Sequence, residues 1–274
     1  MFETIIENVR EKHPIVHCIT NYVTVNDVAN IILASGGSPI MADEIEEVTD
    51  ITSISKSLII NIGTINSRTI EAMLKAGKEA NKLNIPVVLD PGGMTSKFRS
   101  DSLYRLLSEV KFSVIRCHPT ELKAIFSGTK STSGIDADPK DVTNEDNLES
   151  YISMAKSMSK TNNSIVVVTG PIYIITDSEI TYVIRNGHPY MRKIRGSGCM
   201  LSGLIGSYIG ANSDKLIDSV AAAVASIGIS AEYAFRKTDA ENKGAVSFRA
   251  FMIDYISLMD SGLLNSGMNI EKRN

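Results

Sequence analysis

The run Arg195-Gly196-Ser197-Gly198-Cys199-Met200 is a glycine-rich turn that opens an apolar, small-residue stretch reading as a helix. A helix start presents unpartnered N–H groups and partial positive charge. The amides of Gly196, Ser197 and Gly198 could therefore cradle an anion, or the charge that develops on a transferred phosphoryl group. The alternative is a tight turn with close helix packing, which glycine also serves. Cys199 stands where a helix dipole favours thiolate, so it could accept a proton from a substrate hydroxyl; it could equally be a small buried hydrophobe. No G-x-x-x-x-G-K-[ST] string is present, and Leu201 occupies the third-glycine position of a dinucleotide fingerprint counted from Gly196. The turn is neither a P-loop nor that fingerprint.

Asp90 follows the strand-like Val87 to Leu89 and precedes Pro91-Gly92-Gly93, which sets a carboxylate at the edge where α/β proteins gather ligands. Magnesium takes one or two carboxylates and keeps its waters, so Asp90 with Glu121 would suffice for a metal–phosphate site, directly or through water. A turn-forming Asp and a helix first-turn Glu are the alternatives. Arg116 closes the run Phe112 to Ile115, where a guanidinium can neutralise nucleotide phosphates or form a surface salt bridge. Thr169 ends another run, and its hydroxyl could touch a phosphate or cap a turn. These positions share one property: each falls where a strand gives way to a loop.

The elements that must position them alternate. Apolar periodicity predicts helices over Phe2 to Val9, Val23 to Leu33, Glu46 to Ser55, Ser67 to Leu83, Pro119 to Phe126, Leu148 to Ser159, Met200 to Ile209, Leu216 to Arg236 and Val246 to Met259. Strands are predicted over Pro14 to Ile19, Ser38 to Ala42, Ser57 to Ile62, Val87 to Leu89, Phe112 to Ile115, Ile165 to Thr169, Tyr173 to Thr176 and Thr181 to Ile184, with Asn21 as a helix N-cap. Such alternation predicts an α/β fold of three layers, with a mostly parallel central sheet between helices and an antiparallel edge, in a single domain spanning 1–274. The polar stretch Gly128 to Asp146 reads as a loop rather than a boundary.

Composition narrows the partners. With 43% hydrophobic residues, 28 basic against 31 acidic side chains and a net charge of -3, the chain offers no global attraction for nucleic acid or anionic lipid. The expected partner is a small molecule. Cys18, Cys117 and Cys199 are an odd, scattered set, which argues against a disulfide framework and fits a reducing, cytoplasmic setting. The first residues lack a basic start and apolar core, and no apolar run reaches about 18 residues, so neither secretion nor membrane insertion is expected. A Cys–His hydrolase remains as a second chemistry, since His13, His17, His118 and His188 are present.

Together these residues resemble the ribokinase-like fold and, within it, the hydroxyethylthiazole kinases of thiamin salvage. The cysteine-ended turn is shared with hydroxymethylpyrimidine kinases. The more specific similarity lies in Thr20-Asn21-Tyr22-Val23-Thr24-Val25-Asn26, Gly37-Ser38-Pro39-Ile40-Met41-Ala42 and Asn61-Ile62-Gly63-Thr64. Val88-Leu89-Asp90-Pro91, Val114-Ile115-Arg116, Val167-Val168-Thr169-Gly170, Arg185-Asn186-Gly187-His188-Pro189 and Gly244-Ala245-Val246-Ser247-Phe248-Arg249 extend it to nearly the whole chain. The resemblance implies ATP-dependent phosphorylation of 4-methyl-5-(2-hydroxyethyl)thiazole at its primary hydroxyl. It implies Met41 and Gly196 at the thiazole, Arg116 and Thr169 at ATP, Asp90 and Glu121 near Mg²⁺, and Cys199 beside the hydroxyl. It also implies a homotrimer with thiazole sites between subunits, to which Asn21 and Val23 contribute. The sequence departs from the family pattern at Cys117-His118-Pro119, where Gly-Asn usually follows the basic residue, and at Gly92-Gly93-Met94, where Val-Gly-Ala is usual. A kinase for hydroxymethylpyrimidine or another small alcohol, and a non-catalytic thiazole-binding protein, are the alternatives.

Overall fold

The computed structural model describes residues 2–93, 96–127 and 142–274. In chain order the elements are α1 (Glu3–Lys12), β1 (Ile15–Ile19), α2 (Val25–Ser35), β2 (Ser38–Met41), α3 (Val48–Ile54), β3 (Ser57–Asn61), α4 (Ser67–Lys82), β4 (Val87–Asp90) and α5 (Lys97–Glu109). They continue with β5 (Val114–Cys117), α6 (Pro119–Ser127), α7 (Leu148–Asn162), β6 (Ile165–Val168), β7 (Tyr173–Thr176), β8 (Thr181–Ile184) and a 3₁₀ turn (Pro189–Lys193). Helices α8 (Ser197–Ala211), α9 (Leu216–Ala240), α10 (Ala245–Ser257) and α11 (Ser261–Gly267) precede the last strand, β9 (Ile270–Arg273).

Among the described residues, nine strands join one sheet in the order β2-β1-β3-β4-β5-β6-β7-β8-β9. Neighbours from β2 to β6 pair parallel, and β7, β8 and β9 extend the sheet antiparallel. The parallel strands β3 to β6 are buried on both faces, which is why they read as largely continuous apolar runs rather than alternating ones.

Alternate strand residues feed two cores. Val16, Cys18, Ile59, Val88, Val114 and Val167 pack with side chains of α1, α2, α8, α9 and α10. Leu58, Ile60, Val87, Leu89, Ile115 and Val166 pack on the opposite face with those of α4, α5, α6 and α7. This period of two gives the three layers. Helix α9 is long and apolar enough to cross a membrane by length and composition, beyond what the sequence reading allowed, but its most apolar window is 72% buried inside the fold. Its apolar residues serve the core.

Several boundaries differ from expectation for physical reasons. Asn21 is not the cap of α2; that position is Thr24, and the Asn21 side-chain oxygen instead accepts from the Thr24 N–H (3.1 Å) and hydroxyl (3.0 Å), closing the turn that leads into the helix. Helix α5 was missing from the sequence reading because its inward face is half serine, with Ser100, Ser102, Leu103 and Leu106 buried while Phe98 and Tyr104 are exposed. The charged edge strand β9 carried no apolar signal either. Of the polar stretch read as a loop, 128–141 lies outside the described residues; beyond it, the buried Thr143 hydroxyl donates to the Ile172 carbonyl at 2.7 Å, anchoring the approach to α7.

Candidate active site

Asn61 ends β3, Asp90 ends β4, and the two are direct partners in the parallel register. Two residues before them, Ile59 and Val88 face the core that contains α8; Arg116 likewise follows Val114 by two. The strand period therefore turns Asn61, Asp90 and Arg116 toward α8 at one edge of the sheet. Cys199 lies in the first turn of that 15-residue helix.

The side chains interlock. Arg116 and Asp90 form an ion pair through Nη2 and Oδ1, with the two side chains only 3% and 1% exposed. The other carboxylate oxygen, Oδ2, accepts from Asn61 Nδ2 at 2.7 Å and from the Ser202 hydroxyl at 3.1 Å. Asn61 Nδ2 also points at Cys199 Sγ at 3.4 Å, and Asn21 Nδ2 reaches the same sulfur at 3.2 Å. The orientation of the Asn61 amide follows from chemistry: its oxygen faces the Gly63 backbone N–H at 2.9 Å, which can only donate, so the nitrogen must face the carboxylate and the sulfur.

Two glycines make the approach feasible. Gly196 caps α8 with φ +87, and a β-carbon there would lie 2.6 Å from Thr24 Cγ2. A β-carbon on Gly198 would lie 2.8 Å from Arg116 Nη1, so the bare backbone is what lets the first turn of α8 settle on the guanidinium. The helical ladder begins with the Met200 N–H donating to Gly196 at 2.8 Å. The amides before it form the anion-friendly end of the helix.

Charge in this pocket is set by burial and by the ion pair. Burial alone would lower the Arg116 pKa, but Asp90 and then Glu121 hold it above the ordinary arginine range. Burial pushes the Cys199 thiol up and Asp90 adds to this, while Arg116 and the hydrogen bonds from Thr24 and Asn21 pull it down. The resting thiolate expected from the helix dipole is thus not the favoured form, because desolvation outweighs the dipole and its donors. Burial raises the thiols of Cys18 and Cys117 too, and both lie in the sheet.

Glu121, in the first turn of α6, accepts the Gly93 N–H at Oε1 and the His118 N–H at Oε2, each at 2.8 Å. It bridges the loop after β4 to the loop after β5. Thr169, one residue past β6, pairs through its hydroxyl with His118 Nδ1 at 2.9 Å. Burial lowers the His118 pKa, with Glu121 acting in the opposite sense. The Cys199 sulfur receives asparagine amides rather than an imidazole, and His17 is engaged by Thr52 and the Ala42 carbonyl, so the Cys–His hydrolase arrangement finds no support here.

The model of the Hydroxyethylthiazole kinase family matches residues 6–261 of this chain. The chain belongs to the hydroxyethylthiazole kinase family. A curated hydroxyethylthiazole kinase of Clostridium acetobutylicum is 47% identical over 99% of both chains, and one of Desulfovibrio desulfuricans is 41% identical over 99% of this chain and 98% of its own. The solved hydroxyethylthiazole kinase structure from Pyrococcus horikoshii superposes with a TM-score of 0.87 at 28% identity, covering 99% of this chain and 98% of that one. A Bacillus subtilis pyridoxal kinase solved as an ADP complex shares the fold, with a TM-score of 0.56 at 15% identity over 80% of this chain and 91% of its own.

For this member of the hydroxyethylthiazole kinase family, the structure brings together Cys199, Gly196, Gly198, Asp90, Arg116 and Asn21. Glu121 joins them through Gly93 and His118, and Thr169 through His118. Met41 ends β2, half-buried against the same core as Cys199. Val23 is 60% exposed, beside the still more exposed Tyr22. Arg116 is not the surface salt bridge that the sequence left open. Asn61, Ser202 and Thr24 were not assigned roles from sequence. Asn61 carried a usable signal, since it ends a strand at the same sheet edge as Asp90; Ser202 reads as an ordinary small residue of a packed helix.

Proposed function

We propose that this chain transfers the γ-phosphoryl group of ATP to the primary hydroxyl of 4-methyl-5-(2-hydroxyethyl)thiazole. The observation that carries the reading is the placement of the Cys199 thiol and the glycine turn, at the start of α8, over the buried Arg116–Asp90 pair. The names of the relatives support the thiazole as acceptor. The substrate oxygen bonds to Pγ as the bond from Pγ to the β,γ-bridging oxygen breaks, the hydroxyl proton passes to the thiolate form of Cys199, and ADP leaves. Positioning and charge stabilisation dominate such a transfer. The amides of Gly196, Ser197 and Gly198 hold the developing charge, and losing one such donor costs about 10²–10³ in rate. Burial makes the thiol the resting form, so Cys199 acts from its minor thiolate form, reached by loss of its proton to solvent and steadied by Arg116, Thr24 and Asn21; it takes the substrate proton late, as the oxygen becomes acidic on bonding to phosphorus.

Arg116 keeps Nε and Nη1 without a hydrogen-bond partner among the described residues, which supports a role for it toward ATP phosphate oxygens. Thr169 takes the neighbouring part of the nucleotide site, and Met41, Asn21, Val23 and Gly196 take the thiazole. Mg²⁺ supplies charge neutralisation on the ATP phosphates when bound. Glu121 suits it, since each carboxylate oxygen accepts one backbone N–H and retains a lone pair. Asp90 suits it through water, because Oδ1 faces Arg116 and Oδ2 already accepts twice. Among the described residues no cluster of three or more His, Cys, Asp or Glu gathers, and one or two carboxylates are all that magnesium requires of a protein. The exposed Tyr22 and Val23, just ahead of Thr24 at the Gly196 turn, support a homotrimer in which a neighbouring subunit covers the thiazole. Dependence on ATP favours a cytoplasmic setting.

The test is Mg²⁺-dependent ADP release with the thiazole, with hydroxymethylpyrimidine, and with no alcohol. Thiazole-dependent release is expected; release with the pyrimidine alone reassigns the acceptor. Tight thiazole binding without turnover points to a binding protein. Cys199→Ala should lower kcat by about 10²-fold and move the thiazole KM little; unchanged kcat would remove the base assignment.

A further inference from the structure

Asn61 has no place in the chemistry above, yet it touches both halves of it. Its Nδ2 donates to Asp90 Oδ2 at 2.7 Å and points at Cys199 Sγ at 3.4 Å, while its oxygen is locked by the Gly63 N–H at 2.9 Å and receives Asn21 Nδ2 at 3.2 Å. The residue is 2% exposed. It is also the direct register partner of Asp90 across the β3–β4 pair, so sheet geometry, not rotamer choice alone, holds the amide in place. Asn21, the second donor to the sulfur, is itself held by Asn61, which makes the two asparagines one unit.

We propose that Asn61 is a positioning residue for phosphoryl transfer: its single amide ties the Cys199 sulfur to the Asp90 carboxylate and fixes the thiol relative to the charged floor of the site. This rests on the kinase reading for its catalytic consequence, though not for its effect on the thiol. A side-chain amide suits this role among groups of that size. It presents an acceptor to the Gly63 N–H and a donor to a carboxylate and a sulfur that both need one. Aspartate has the same shape but no donor, and would set a second carboxylate against Asp90. Alanine removes the tie and leaves the Gly63 N–H and Asp90 each one partner short.

The experiment uses the full-length chain as Asn61→Asp and Asn61→Ala, with circular dichroism and thermal melts establishing that each folds. Two quantities are read. One is kcat against KM with ATP, Mg²⁺ and the thiazole. The other is the rate of iodoacetamide alkylation of Cys199 at fixed pH, followed by mass on the Cys199 peptide so that Cys18 and Cys117 do not contribute. Loss of a donor to the thiolate form of Cys199, the form that alkylates and accepts the proton, is expected to lower kcat by about 10–10²-fold with the thiazole KM within about threefold, and to slow Cys199 alkylation by a similar factor in both variants. A folded variant with unchanged alkylation and kcat near wild type overturns the proposal, as does a loss confined to KM. If one variant fails to fold, the other decides. Should wild type itself show no thiazole-dependent turnover, the kinase reading fails while alkylation still decides whether Asn61 positions the thiol.

Discussion

Arg116→Met puts a number on the buried ion pair. Methionine occupies the space of the arginine stem while deleting the guanidinium, so the cavity it leaves is small and the change is mainly one of charge. The pair is almost wholly enclosed, at 3% and 1% exposure, and Nε and Nη1 have no other hydrogen-bond partner among the described residues. What the substitution costs is therefore the stranding of the Asp90 charge. Breaking a buried pair from one side typically costs about 3–5 kcal/mol. Because Asp90 Oδ2 keeps Asn61 and Ser202, the low end applies, about 3 kcal/mol. At about 2–4 °C per kcal/mol for a domain of this class, the melting temperature should fall by about 6–12 °C. Asp90→Asn in the wild-type background should cost a similar amount by stranding Arg116. The double variant should recover well over half of the summed loss, since it removes both charges together. Urea unfolding with an unchanged m-value is the assay. A single-variant loss below about 1 kcal/mol, or a double variant that loses the full sum, would refute the claim that these charges are desolvated and mutually dependent.

Gly196→Ala forces a β-carbon into left-handed backbone and against the Thr24 methyl; about 1–2 kcal/mol of stability and a larger share of turnover should be lost, checked by urea midpoint and kcat. Gly198→Ala has no such backbone penalty, so a drop in kcat with modest stability change is expected as the first turn of α8 lifts off Arg116; a wild-type kcat would count against the anion hole. Burial lowers the pKa of His17 and His118, so both are held neutral in the fold while the unfolded chain titrates near ~6.5. Their contribution is full above that pH and is lost as pH falls, so the urea midpoint should decline below about pH 6.5 and His17→Gln should flatten that decline.

Much of the architecture was legible because parallel strands buried on both faces leave continuous β-branched runs. Val87-Val88-Leu89 and Ile165-Val166-Val167-Val168 announced themselves without any partner being known. Where packing relies on small polar residues the signal disappears, as in α5, whose buried face is half serine. Asp90, Arg116, Thr169 and Cys199 could be singled out from sequence as candidates because each falls at the boundary between a periodic segment and a turn, the edge where α/β folds gather ligands. The thiolate expectation failed for a reason no sequence displays. The dipole of α8 is local to the chain, whereas the burial that opposes it exists only once segments more than 80 residues away, among them Asn21, Asn61 and the Asp90–Arg116 pair, are folded around the sulfur.

The same distance explains why Asn61 escaped notice as a functional residue. An asparagine in the last position of a strand gives no sign of a distant partner, and its local contact, the amide oxygen on the Gly63 N–H, is an ordinary turn contact. That ordinary bond is what orients the other end of the side chain. By fixing the oxygen, the backbone obliges the nitrogen to face Asp90 and Cys199, which arrive from β4 and from α8. A local structural role and a long-range positioning role are carried by one amide, and the first makes the second reliable. Substitutions that preserve shape but exchange the donor, as Asn61→Asp does, separate the two. They leave the turn oxygen in place and remove the tie, so a folded protein with a displaced thiol is the outcome that this geometry requires.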